Sequence, residues 1–293
     1  MITSFDQVVA SISAGRTNRY IWHKQTGSAA YTAGRWYNTF TLGGSPPAAT
    51  YPGTALAAVA CDASTTGWLP YGPAVEPTYN RYLSSIEVHT PIATGVPSWL
   101  MLVDILLYYP GIDMNSGQTQ LLANVAALPR YTDGIGVQMF LEANTVTGAT
   151  AHSLHQTGFN YTAAGDTSGR VLPITVACTA SAIAPHIVHS GVAANNFGPF
   201  IPPFGSDDGV KSVQNFQLTS FSGSVGTATL VLCKLLAVIP LTTVFVASSR
   251  DFIFNMPWFP RVYDGACLSF LVLTGGAVAP STNFVANLEF VWG

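Results

Sequence analysis

The sequence predicts an all-β protein: two tandem, internally duplicated β-sandwich domains of jelly-roll-like type, preceded by a short N-terminal helical arm. Three observations carry that expectation. Short runs rich in Val, Ile, Leu, Thr and aromatics alternate with Gly, Pro, Asn and Ser, the usual punctuation of strands and turns. The 27 Gly and 19 Pro supply many turns and leave little room for long helices. The third observation is an internal repeat with a period of about 130 residues.

The repeat is clearest where Pro129-Arg130-Tyr131-Thr132-Asp133-Gly134 matches Pro260-Arg261-Val262-Tyr263-Asp264-Gly265. At the same shift Val137, Met139 and Leu141 fall on Leu268, Phe270 and Val272, and Phe159 and Tyr161 fall on Phe290 and Trp292. Backwards, Leu102–Leu106 falls on Leu232–Leu236, Pro110 on Pro240, and Ile86–Val88 on Phe216–Leu218. Earlier still, Pro70-Tyr71-Gly72 matches Pro203-Phe204-Gly205, and Gly34-Arg35 matches Gly169-Arg170. The shift drifts by a few residues, as loop insertions would produce. The copies read as 34–165 and 169–293, joined by the loop 164–168, with 1–33 as an arm outside the repeat.

Taken in order, the arm opens with a helix start. Ser4 stands at the N-cap and Gln7 at the capping-box position. Phe5, Val8, Val9 and Ile12 then share one face, and Gly15 ends the helix. So short a helix must dock on something, and these four residues are the candidate assembly contacts. Strands are expected near 36–42, 55–61, 83–90, 99–108, 136–146 and 155–162 in the first copy. In the second they are expected near 171–177, 186–192, 213–221, 226–238, 267–274 and 283–292. Six to eight strands in about 125 residues suit a sandwich of Greek-key topology. The Pro-Arg-x-x-Asp-Gly segments read as turns, with Asp133, Gly134, Asp264 and Gly265 at the bend. Arg130 and Arg261 either brace those turns against carbonyls or a carboxylate, or stand exposed.

Asp104 and Lys234 interrupt the most apolar strand of each copy at matched positions. A lone buried charge costs several kcal/mol, so neither should be buried unpaired. Residues alternate between faces along a strand, and both faces here are apolar, so each strand should be covered on both sides. Asp104 and Lys234 are a candidate interface pair, set against local polar partners or solvent for each.

Composition excludes several function classes. Charged residues are 9% of the chain, with 3 Lys, against roughly 25% in an average soluble protein. The surface is therefore neutral-polar or covered by neighbours. A formal net charge of −3 provides no basic patch for nucleic acid and no cationic face for a membrane. The apolar stretches 99–112 and 228–241 are each about 14 residues, short of the roughly 20 a helix needs to cross a bilayer. No secretion leader is expected from Met-Ile-Thr-Ser-Phe-Asp. Cys61, Cys178, Cys233 and Cys267 are widely spaced and read as buried thiols in a reduced compartment.

No nucleophile elbow, zinc-protease motif, phosphate loop or dinucleotide fingerprint occurs. His152/His155 and His186/His189 have a spacing that would hold zinc on a helix, but they lie in strand-like stretches where i and i+3 face opposite ways. Asp207-Asp208-Gly209 reads as a turn, short of the oxygen ligands calcium needs. The six Trp read as core or interface filling, with a sugar-binding platform as the alternative. No catalytic residue, cofactor or metal is expected, and the chain is expected not to be an enzyme.

With its low charge, Ala/Thr/Gly/Ser-rich strands, Met1 start and duplicated ending (Pro-Arg-x-x-Asp-Gly, then aromatic-x-aromatic), the chain resembles bacteriophage virion structural proteins, in particular capsid decoration (cement) proteins. The resemblance is one of style across most of the chain, and it carries over no site residue. It implies a protein made in the host cytoplasm that binds the outside of an assembled head, bridges major capsid proteins and forms a homo-oligomer, with a trimer as one form. Alternatives from other classes are a tail, baseplate or head-fibre protein binding host glycans, and a carbohydrate-binding β-sandwich module.

Overall fold

The computed structural model describes residues 2–191, 198–220, 226–254 and 259–293. It is nearly all β, with one short α-helix at the N-terminus, α1 (Phe5–Ser13). The first strands are β1 (Thr17–Gln25), β2 (Trp36–Asn38), β3 (Gly44–Ser45), β4 (Val59–Ala60), β5 (Arg81–His89) and β6 (Ser98–Asp113). Then come β7 (Gln120–Leu121), β8 (Val137–Ala143), β9 (His152–Leu154), β10 (Asn160–Ala163), β11 (Arg170–Val171) and β12 (Val176–Cys178). The last are β13 (Val210–Phe216), β14 (Leu218–Ser220), β15 (Thr227–Leu241), β16 (Ser248–Asp251), β17 (Cys267–Thr274) and β18 (Asn283–Trp292).

Among the described residues the strands form four sheets, with orders β16-β5-β18-β1-β3, β11-β10-β13-β7, β12-β9-β14 and β2-β17-β6-β15-β8, with β4 also on β6. The apolar stretches weighed as membrane spans are β6 and β15, which pair antiparallel along most of their length at the centre of the last sheet. No helix among the described residues is long and apolar enough to cross a membrane.

Strand pairing follows the sequence repeat. In the central sheet Asp104 stands opposite Leu268 on β17, and Lys234 stands opposite Val137 on β8; each residue of the second pair is the match of one in the first. Asp104 and Lys234 also stand opposite each other. Interchanging β6 with β15 therefore carries β17 onto β8. In the outer sheets β5 lies on β18 as β13 lies on β10.

The division at 34–165 and 169–293 does not separate the sheets. β6 pairs with β15 and β17, and β5 pairs with β18 and β16, so strands of one stretch complete sheets of the other. The cores divide elsewhere. One is built from 22–102 and 236–290, with Trp22, Leu83, Ile86, Leu100, Leu102, Ile239, Phe270 and Phe290 among its members. The other comes, apart from Ala58, from the continuous stretch 106–232, including Leu106, Met139, Leu141, Phe159, Val213 and Leu232. Both cores lie on one face of the central sheet. Its opposite face carries Trp36, Val103, Ile105, Phe140, Val231 and Leu271, covered by Phe40 and Ala49. Alternation along β6 explains the arrangement: Leu100 and Leu102 enter one core, Leu106 the other, and Val103 and Ile105 the layer beneath.

Several sequence expectations change. The stretch 1–33 is more than an arm, because β1 inside it pairs with β18 over nine residues, Thr17 opposite Val291 through Gln25 opposite Asn283. Strands expected at 36–42 and 55–61 shorten to β2 and β4. Around 186–192, His186 and Ile187 form only isolated bridges, and residue 192 lies outside the described residues, as does Trp258.

Candidate functional site

The N-terminal helix forms as its sequence signals. The Ser4 side chain accepts from the Gln7 amide at 3.3 Å, while Gln7 reaches back to the Thr3 amide at 2.6 Å. Gly15 closes it with φ +70°, a conformation that costs other residues strain. Among the described residues the helix is buried along its Val8–Ser11 flank. Val8 is 5% exposed and Ser11 is buried, whereas Phe5, Val9 and Ile12 are 54%, 45% and 49% exposed. Val8 is thus an internal contact rather than part of the free stripe, because the helix lies against β18 on its Val8–Ser11 side. The Phe5 ring packs on the exposed ring of Phe254, centroids 5.4 Å apart. Beside the helix runs a groove of about 560 Å³ lined by Ile12, Thr17, Asn18, Ser84, Ile253 and Phe290, with the Arg19–Glu289 ion pair on its wall.

The charged residues singled out by the repeat gather where the two cores meet. Asp104 shares a face with Leu102 of one core and Leu106 of the other. Its carboxylate is 1% exposed and is held bidentately by Arg130, Nε to Oδ2 at 2.9 Å and Nη2 to Oδ1 at 2.8 Å. The Cys267 amide adds a third bond at 2.9 Å. Arg130 also donates to the Cys61 carbonyl at 2.8 Å and the Ile105 carbonyl at 3.0 Å. Burial pushes the Asp104 carboxyl up; Arg130 and the Cys267 amide oppose that shift.

Lys234 is not the partner of Asp104. Its ammonium donates to the Ile135 carbonyl at 2.8 Å and stands 5.3 Å from the Tyr131 ring centroid. The register sets the two residues opposite each other, but the carboxylate takes the planar fork of Arg130, which offers two parallel donors. The two Pro-Arg-x-x-Asp-Gly turns meet here as well. The Tyr131 and Tyr263 rings lie edge to face at 5.0 Å, and the Tyr131 hydroxyl donates to the Arg261 carbonyl at 3.2 Å. Gly134 and Gly265 both have positive φ, +79° and +77°, as the turn reading requires. Asp133 caps its own turn through the Ile135 amide at 3.0 Å. Arg261 bonds Glu76 at 2.5 Å, while Asp264 accepts from Arg81 at 2.9 Å and from the Val75 and Glu76 amides.

A second polar cluster escaped the sequence reading. Glu142, on β8, is 1% exposed and has no cation bonded to it among the described residues. It accepts from Asn38 at 2.7 Å, Thr41 at 3.0 Å and Tyr51 at 2.6 Å. Burial pushes its pKa up to about 7 against the pull of those three bonds. The signal was present in the alternation: with Val137, Met139 and Leu141 facing one core, Glu142 had to share the other, equally covered face with Phe140.

Of the four histidines with the i, i+3 spacing three bond the backbone, while the fourth, His186, has no hydrogen-bond partner on either ring nitrogen among the described residues and packs edge-on against Tyr31 at 5.1 Å. His152 Nδ1 bonds the Thr150 carbonyl at 2.9 Å, His155 Nδ1 accepts from the Gly158 amide at 3.0 Å, and His189 Nε2 bonds the Pro199 carbonyl at 3.1 Å. Asp207 is engaged by Arg170 and by the Tyr161 hydroxyl at 2.6 Å. Among the described residues no group of three His, Cys, Asp or Glu is placed to hold a metal ion.

No protein-family model matches the chain, and no curated protein matches its sequence. Two solved structures align with it at low similarity. One is that of the infectious bursal disease virus Gx strain, at 10% identity and TM-score 0.16, over 93% of this chain and 80% of that one. The other is a mutant VP2 protein of the same virus in derived T=1 particles, at 8% identity and TM-score 0.15, over 94% and 78%. Alignments at TM-scores this low do not define a shared fold.

Proposed function

We propose that this chain is a non-enzymatic structural protein of a virus particle, of the bacteriophage capsid-decoration type, which attaches to the assembled head and stabilises it. The observation that carries the reading is the half-exposed stripe Phe5, Val9 and Ile12, with Phe254 beside it, on a protein with only 9% charged residues. A helix docked by one flank presents the rest of its apolar face to a neighbour. Completing the burial of each of these side chains is worth on the order of 1 kcal/mol. The partner is the major capsid protein or another virion protein, and copies of the chain associate with each other through the same arm. Stabilisation then follows from mass action, since a protein that binds only the assembled lattice shifts the equilibrium toward it.

Gradient sedimentation of a lysate that contains particles, followed with an antibody to this chain, tests the reading. The chain is expected to travel with intact particles and to dissociate intact when they are disrupted. Recovery only at the top of the gradient would contradict it.

A further inference from the structure

We propose that Cys61 and Cys267 form an oxidation-sensitive dithiol that closes to a disulfide, bolting the chain together where its two cores meet. The two residues sit end to end along the same edge of β6. Ala60 of β4 stands opposite Leu107 and the Cys61 amide donates to the Leu106 carbonyl at 2.9 Å, while Cys267 begins β17 opposite Ile105. Both side chains enter the apolar layer that holds Val103 and Ile105. Cys267 Sγ also lies 3.3 Å from the carbonyl of Asp62, the residue that follows Cys61.

The other thiols are placed differently. Cys233 stands opposite Ile105 from β15, so β6 runs between it and Cys267. Strands two apart are separated by about 9–10 Å, beyond the roughly 7 Å between Cα atoms that a disulfide tolerates. Cys178 belongs to the core built from 106–232. The closing pair also touches the buried ion pair on both sides: Arg130 donates to the Cys61 carbonyl and Asp104 accepts from the Cys267 amide. A bond there fastens a segment near the start of the chain to one near its end, across a loop whose length favours a large restriction of the unfolded state.

Both thiols are buried, but Cys61 leads directly into the exposed residues Asp62, Ala63 and Ser64. Local opening of that loop admits a small disulfide such as oxidised glutathione. One cysteine thiol loses its proton to solvent, and its thiolate attacks a glutathione sulfur, releasing one glutathione thiolate. The second cysteine, likewise deprotonated, attacks the protein sulfur of the mixed disulfide and releases the other. Two protein thiols are oxidised and one glutathione disulfide is reduced to two thiols.

The test is incubation of the native full-length protein with oxidised glutathione, alkylation of free thiols under denaturing conditions, digestion and mass spectrometry. The expected product is one cross-linked peptide pair containing Cys61 and Cys267, with Cys178 and Cys233 alkylated. The oxidised protein should melt at least about 5 °C above the reduced one. That increment should vanish in Cys267→Ser and in Cys61→Ala, and if either variant fails to fold, the wild-type cross-link map decides alone. Four alkylated cysteines, a glutathione adduct that never closes, or a link through Cys178 or Cys233 would overturn the proposal.

Discussion

The turns at Pro129–Gly134 and Pro260–Gly265 share a sequence and a backbone bend, yet their arginines do opposite work. Arg130 turns inward onto Asp104, with side chains 5% and 1% exposed. Arg261 turns to the surface and meets Glu76, at 35% and 24%. The difference traces to one matched position, because the second copy has Lys234 where the first has Asp104. Two cations would repel, so Arg261 finds its carboxylate elsewhere and Lys234 settles on a carbonyl. The matched segments keep the same strand pairing while the charges at the junction differ. The two cores differ in a related way, since one is supplied by a nearly continuous stretch and the other by both ends of the chain.

The largest expected effect follows from that second contrast. Fragments 1–165 and 169–293, expressed separately, should each fail to fold, because β6 and β15 would lose each other and neither core would be complete. Circular dichroism with urea titration checks this, and a cooperative transition in either fragment would break the comparison.

At the junction, Arg130→Ala should cost about 3–5 kcal/mol because it strands a buried carboxylate, while Arg261→Ala should cost no more than about 1 kcal/mol. Equal losses in urea titrations would mean that the two turns do the same work after all.

Glu142 sharpens the picture from the layer beneath. Its folded pKa, about 7, lies above the ordinary value of 4.5. Its proton-linked stability is therefore fully present below about pH 4.5 and is lost as pH rises through about 7. Relative to Glu142→Gln, the wild type should lose on the order of 3 kcal/mol between those limits. His186 and His189, each held down to about 4 by burial, have the opposite slope: their contribution is present above 6.5 and lost as pH falls toward 4. Both proteins share that slope, so the difference isolates Glu142. Parallel stability curves for the two proteins would rule out the assignment.

The smallest effect concerns Asp104 and Lys234 themselves. Asp104→Asn and Lys234→Met should combine additively, within about 0.5 kcal/mol, since each group is held by other partners. Partial recovery in the double variant would restore the direct pairing.

What the sequence made legible was local. Ser4, Gln7 and Gly15 marked the helix, and the long runs of β6 and β15 could only be covered strands. The strand β1 was obscured because its outline, Thr-Asn-Arg-Tyr-Ile-Trp-His-Lys-Gln, reads as polar. Lys24 there is buried by donating to the carbonyls of Phe40, Leu42 and Pro47, distant partners that no local pattern announces. The same limit hid the Arg130–Asp104 pair, 26 residues apart, and the bonds from Asn38, Thr41 and Tyr51 to Glu142. A repeat shows which segments are alike; it does not show whether each pairs within its own copy or with the other.

Electron microscopy of intact particles would show whether the protein is attached through its N-terminal helix, as proposed. Density for this chain is expected on the outer surface of the head, with Phe5, Val9 and Ile12 buried against a neighbouring subunit. Particles lacking that density, or showing the helix open to solvent with the contacts made elsewhere, would contradict it.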